Sequence, residues 1–426
     1  MQARADTGRP RLFILYSMLL TVAIADGVAL PYLVVYFNLA RHIALPLVGL
    51  IIGGGAVAAL VVGIAGGALL DRFAAVRIYQ AAMVLTGLGA IAVAFADSPL
   101  SAFGAVVVLY GASGLQWPAQ TTLIGENAEG AESNHAFARA FLFLNAGLGI
   151  GAFIGSNFIK LHEPETYSLA YRVDGAVAVV VGTIGLQVLA RFGRLRSVAK
   201  DRASRAEMSR GHHDRGYRAV LRDRVMVVFL LLNALLLLAG YAQIEGGWAA
   251  FAALDVGATA RIIGLATVAN TIVIVALQIP VARMIARMRR SRALAGAALL
   301  WLGCWVVCGV AVTERKDSLL ASVLLIASAG VFALGETFYS PVAPAISNAL
   351  APDHLRGRYN AATNSLWSVT AVLAPPVAAF LIATHNRYLW LGVIAGTCAL
   401  VAVLVVLMLP RFLPASVESA PLEVDS

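Results

Sequence analysis

Charged side chains are scarce in this chain: Asp, Glu, Lys and Arg together make up 13% of it, against about 25% in an ordinary water-soluble domain. So few charges cannot clothe a soluble exterior, which excludes soluble enzymes, nucleic-acid binders and secreted scaffolds. Cysteine is scarcer, with 3 in 426 residues. Cys304, Cys308 and Cys398 all lie inside apolar runs, which excludes a disulfide framework and favours packing over soft-metal binding. The 7 histidines lie outside the central parts of the apolar runs, so intramembrane Ser/His or metal chemistry lacks its groups. His212, His213 and Asp214 share a polar stretch with no fixed geometry for a metal, and no metal is expected. A Gly-x4-Gly-Lys-Ser/Thr loop is absent from the sequence, which excludes nucleotide hydrolysis of the P-loop kind. An enzyme is not expected.

What the chain has is apolar length. Hydrophobic residues make up 60%, and a mean hydropathy of +0.82 is spread over the whole sequence, so neither one anchor nor a cleaved leader accounts for it. Twelve runs reach the ~20 residues that a spanning helix needs. They fall near 12–38, 46–70, 78–97, 101–124, 137–159, 172–190, 225–247, 260–282, 293–313, 318–345, 361–384 and 389–410. An all-α integral membrane protein is predicted, in four parts: a six-helix half over 1–190, a basic linker over 191–224, a second six-helix half over 225–410, and a disordered acidic tail over 411–426. With the N-terminus cytoplasmic, 25 of the 32 Lys and Arg fall inside and 7 outside. The positive-inside rule therefore predicts a multi-pass protein of the cytoplasmic (inner) membrane with both ends in the cytoplasm. The net charge of +9 reads as topology and not as a polyanion site.

Two six-helix halves joined by a basic loop suit a transporter built from parallel repeats. Four motifs sharpen this. Gly67-Ala68-Leu69-Leu70-Asp71-Arg72-Phe73, with Arg77, follows the second run. The fourth run holds Tyr110-Gly111-Ala112-Ser113-Gly114, the fifth Asn145-Ala146-Gly147-Leu148-Gly149-Ile150-Gly151-Ala152-Phe153-Ile154-Gly155, and the tenth Gly335-Glu336 with Pro341, Pro352 and Arg356-Gly357-Arg358-Tyr359. The chain resembles the major facilitator superfamily, and the tenth-run series resembles its bacterial multidrug exporters, which are drug:proton antiporters. The resemblance implies a cytoplasmic gate at Gly67, Asp71, Arg72 and Arg77. It also carries departures: Ala74 stands where the family has Gly, Tyr110 near where it often has an Arg linked to proton transfer, and Ala152 at the Pro of the antiporter motif. The fifth-run glycines are expected to pack closely on a neighbouring helix.

Ionisable groups at membrane depth are costly and mark function or a paired structural role. Asp26 lies roughly 22 Å into the first run at ~1.5 Å per residue and is the first proton-coupling candidate; a structural hydrogen bond is its other open role. Glu336 is the second, with substrate binding, proton relay and gating all open. Glu245, beside Gly246 and Gly247 near the predicted outer end of the seventh run, is the third, either at an unwound outer gate or as a surface residue. Asp174 and Glu126 lie near predicted helix ends and read as interfacial. Tyr32, Tyr36, Gln116, Asn145, Asn233, Tyr241, Gln243, Tyr339, Asn364 and Trp367 are the candidate lining of a substrate cavity that holds no midplane Arg or Lys. Such a wall suits lipophilic neutral or cationic molecules.

The expectation is a secondary transporter that exports such molecules by alternating access. It needs no cofactor, and a proton gradient supplies its energy. Its partners are a small-molecule substrate, protons and the lipid bilayer, without nucleic acid, and a monomer suffices. A proton symporter importing a metabolite, and a non-transporting sensor or assembly partner, remain open.

Overall fold

The computed structural model describes residues 2–127, 131–185, 187, 219–314, 318–352, 355–384 and 386–419. Among the described residues there is no strand, and twelve helices are long and apolar enough to cross a membrane. They are α1 (Arg11–Ala40), α2 (Leu45–Gly66), α3 (Ala75–Ala94), α4 (Pro99–Asn127), α5 (Ala136–Phe158), α6 (Pro164–Gly185), α7 (Arg224–Val256), α8 (Ala260–Ile285), α9 (Arg290–Ala311), α10 (Leu319–Leu350), α11 (Arg358–Ile382) and α12 (Leu389–Phe412). Helix is what such sequences must form, because hydrocarbon offers no partner to an unpaired backbone group. Local chemistry sets the ends. Pro164 opens the helix of α6 at a position whose N–H needs no partner. Asp223 caps α7 by accepting from the amides of Val225 and Met226 at 3.0 and 3.2 Å. Gly257, at φ 86°, reverses the chain after α7 in the left-handed region that favours glycine.

The chain divides into two compact units, Met1–Gly211 and His212–Ser426. Each is built on the same neighbour scheme. In the first unit α1 packs on α5, α2 on α4, and α3 on both α4 and α6. In the second α7 packs on α11, α8 on α10, and α9 on both α10 and α12. The α1–α5 contact is the close one that the glycines of α5 predict. A Cβ added at Gly151 would lie 2.9 Å from the Cα of Gly27, and one at Gly155 would lie 2.8 Å from the carbonyl oxygen of Val28. Only hydrogen leaves room for the two backbones to meet there.

Three expectations need correction. The sixth span begins at Pro164 and not near 172, because Glu165 and Arg172 dilute the hydropathy of its first turns. The seventh runs on to Val256 and does not end near 247. Gly246 and Gly247 are inside it, buried against Pro375 of α11 and against Ala378 and Trp390, and the helix passes through them with widened, π-type turns at Ile244–Trp248 and Ala252–Val256. The expected disordered tail is ordered as far as residue 419: Arg411 and Phe412 finish α12, and a short helix Ala415–Glu418 packs against α9 and α10. Its Glu418 is 7% exposed; one oxygen accepts from the Ser291 amide at 3.3 Å and the other from the Ser291 hydroxyl. Polar composition suggested a solvated tail, but a carboxylate that accepts from an orphan N–H and a hydroxyl at a helix start is stable when buried. Residues 219–222, at the end of the predicted linker, are helical; His212, His213 and most of that linker lie outside the described residues.

Candidate functional site

In the first unit, α1 carries Asp26 and α6 carries Asp174, roughly 22 Å and about 15 Å from the first residues of their spans at ~1.5 Å per residue. The two carboxyl groups lie close enough to interact directly. Asp26 is half-buried and Asp174 is 4% exposed. Oδ1 of Asp174 is buried with no hydrogen-bond partner among the described residues. The backbone lets this happen: Gly175 sits against the backbone of Gly87, so α6 lies close on α3. Tyr79 lies near Asp26 and Tyr171 near Asp174, and the Tyr171 hydroxyl donates to the Ala29 carbonyl at 3.0 Å. Two ionised carboxylates are acceptors only and repel each other, and a proton on one of them would let the pair share a hydrogen bond. The pair is therefore a candidate place for a proton inside a span.

Asp174 is thus not the interfacial group expected of it. With α6 starting at Pro164, the residue falls at mid-span. The sequence did carry a clue, a proline followed by Glu165 that suits a helix start.

Two tyrosines proposed as cavity lining are also corrected. Tyr32 and Tyr36 are fully buried within the first unit. The Tyr36 hydroxyl donates to the Ala94 carbonyl at 3.2 Å and accepts from Arg41 Nε at 2.9 Å, while Arg41 Nη2 reaches the same carbonyl at 3.0 Å. Tyr32 meets Tyr167 edge to face. These rings pin α1 to α3 and α6. Gln116 is half-buried and accepts from Thr86 at 3.3 Å; half-buried Asn145 donates to the Phe141 carbonyl of its own helix. Of the expected gate, Arg72 and Arg77 are exposed, whereas Gly67 and the Asp71 side chain lie outside the described residues.

The second unit holds a different arrangement. Glu336 of α10 is 8% exposed; Asn270 Nδ2 of α8 donates to it at 2.8 Å, and the Tyr241 hydroxyl of α7 lies near it. Glu245 lies within electrostatic reach of both Tyr241 and Glu336. It is exposed at the middle of α7 and not at a helix end. Tyr241 packs edge-on to Trp367 of α11, centroids 4.4 Å apart. Trp367 is 37% exposed, and Asn364, one turn before it, is exposed too.

Asn233, Gln243 and Tyr339 are corrected from lining to internal ties: all three are buried. Tyr339 donates to Asn233 Oδ1 at 2.8 Å, and Trp390 Nε1 donates to Gln243 Oε1 at 2.8 Å. Asn270 escaped the sequence reading because it is uncharged, although an amide in the middle of an apolar span was the clue. Cys304, Cys308 and Cys398 are buried free thiols, and among the described residues no His, Cys, Asp or Glu group is arranged to hold a metal.

The sequence matches the family described as the Major Facilitator Superfamily over residues 15–248 and 244–424. The chain belongs to the major facilitator superfamily. Its fold is similar to that of a peptide transporter solved with sulfate, at 18% identity and TM-score 0.71, covering 94% of each chain. It is similar to the nucleoside transporter NupG at 12% identity and TM-score 0.73, covering 93% of this chain and 98% of that one. A D-xylose-proton symporter aligns at 14% identity and TM-score 0.73, covering 95% and 98%. No curated protein matches the sequence. The protein is accordingly a multi-pass membrane protein and a secondary transporter of the major facilitator type, and these three structures lend no support to export of lipophilic drugs.

Proposed function

We propose that this major facilitator protein is a proton-coupled symporter of a small organic solute, with Asp26 and Asp174 as its proton site. The observation that carries the reading is the meeting of two carboxyl groups at mid-span in the first unit. Asp174 is enclosed by its own unit, so a solute cannot take the place of the proton there by direct contact. Proton and solute then load side by side, which is the arrangement of a symporter; an antiporter of the simplest kind has them compete for one carboxylate. The solved D-xylose-proton symporter of similar fold is consistent with this mode. The basic-residue distribution supports a cytoplasmic membrane with both ends inside, and one chain with both units suffices as a monomer. The proton gradient is the energy source.

Reconstituted protein with a pH dye trapped in the vesicles tests the reading against a panel of a dipeptide, a nucleoside, a pentose and an aromatic amine, with protein-free vesicles subtracting passive entry. Addition of a transported solute is expected to acidify the lumen, and Asp26→Asn or Asp174→Asn to abolish the acidification. Solute-driven alkalinisation that depends on the protein would show antiport and overturn the proposal.

A further inference from the structure

The second unit contains a carboxylate that its own side chains do not neutralise. Glu336 is met by neutral donors, the Asn270 amide and the Tyr241 hydroxyl, and Glu245 adds a second acid nearby. Among the described residues neither acid has an ion-pair partner. The basic residues of this unit stand at or beyond the span ends: Arg224, Arg261, Arg283, Arg290, Arg358 and Arg411 are within about three residues of a terminus. A carboxylate accepts up to about four hydrogen bonds, so Glu336 has lone pairs left over. A buried acid of this kind is costly unless a cation meets it.

Beside it is an aromatic surface already held in place. Trp367 is supported edge-on by Tyr241, and by Tyr339 at 6.3 Å between centroids. Tyr241 is in turn braced by Trp301 and Phe332. Tyr241 thus joins the two features, with its hydroxyl near Glu336 and its ring against Trp367. Exposed tryptophans of membrane proteins usually sit at headgroup level. Trp367 instead lies near the middle of α11, about 14 Å from Arg358 at ~1.5 Å per residue. A rigid ring beside uncompensated acids is the chemistry that recognises organic cations.

We infer that Trp367, Tyr241 and Asn364, together with Glu336 and Glu245, form a binding site for an amine carried on a flat ring. The ammonium is directed to the two carboxylates and the ring to Trp367, while Asn364 offers hydrogen bonds to substituents. This rests on the reading of the protein as a solute transporter and names the class of solute.

Four probes separate the terms: 2-phenylethylamine, 2-phenylethanol, phenylacetate and ethylamine, each titrated calorimetrically into the purified full-length protein at neutral pH. The expected result is that 2-phenylethylamine binds at least about tenfold more tightly than 2-phenylethanol, with phenylacetate weakest. Glu336→Gln, which keeps the size of the side chain, is expected to reduce that preference to within about twofold. Trp367→Leu is expected to bring 2-phenylethylamine down to the affinity of ethylamine and to leave the preference for positive charge intact. Should Glu336→Gln fail to fold, exposed Glu245→Gln tests the same term, with about threefold weaker binding of both amines. Equal binding of amine and alcohol, a preference unmoved by these substitutions, or no binding of any probe at millimolar concentration overturns the inference. If these fail while another solute still drives protons through the Asp26 pair, the amine site falls alone; if no solute drives protons, the transport reading falls with it.

Discussion

The two units share a neighbour scheme, first helix on fifth, second on fourth, third on fourth and sixth, yet they treat their buried acids in opposite ways. In the first unit Asp26 and Asp174 meet each other, a pairing of acids that a shared proton would relieve. In the second, Glu336 is bonded by the Asn270 amide and has the Tyr241 phenol beside it, neutral groups that suit an anion. The common scaffold dictates which helices touch. Divergent side chains at the touching points set acid against acid in one unit and acid against neutral groups in the other, and on the proposed reading a repeat architecture divides labour in this way without altering its packing.

The largest effect expected is on coupling, and it separates the units. Asp174→Asn should reduce solute accumulation to simple equilibration while solute exchange across the membrane at equal pH persists; Glu336→Gln should reduce exchange itself, as amide replaces the acceptor. Measuring accumulation and exchange for both variants breaks the comparison if they behave alike.

Next in size is the packing of first helix on fifth. Gly151→Leu places atoms against the backbone of α1 and should cost at least ~1–3 kcal/mol, the range for an overpacked core, seen as a lower melting temperature or failed expression. Gly396→Leu in α12, with nothing within 4 Å of its added Cβ, should leave the melting temperature unchanged.

The smallest effect tests how the units close the start of their third helices. In the first unit α3 begins after Ala74 without a side-chain cap. In the second, α9 begins at Arg290, and Glu418 from the end of the chain bonds the amide and hydroxyl of Ser291, while Arg290 Nη1 holds the Ala345 carbonyl at 2.9 Å. Glu418→Gln should destabilise the protein by about 1–2 kcal/mol, a charge-assisted hydrogen bond reduced to a neutral one. Proteolysis after α12 should be faster in that variant, and cleavage within α3 unchanged.

The twelve spans were legible because each carries its own apolar length, and a spanning helix closes its backbone bonds within itself. Asp26 and Glu336 were legible for the same reason, as charges deep in apolar runs. Asp174 was not, because Glu165 and Arg172 shift the apparent start of α6 and move the residue from the middle to the edge. Nor could spacing tell which polar groups face outward: Tyr36, Asn233 and Tyr339 have the composition of a lining, but each finds a partner on another helix of its unit and is buried. Asn270 showed only as an amide in an apolar span, and its partner was decided when α8 packed against α10.

By itself, then, the sequence determined that this chain is a helical membrane protein of twelve spans in two halves, and it pointed to the acids that are expensive at depth, since hydropathy and helix length are properties of single segments. Which carboxyl meets which donor was decided only by tertiary structure. Hydrogen bonds between helices depend on rotation and depth to within an ångström, and those are set by glycine contacts such as Gly151 on Gly27 and Gly175 on Gly87, between residues far apart in the chain.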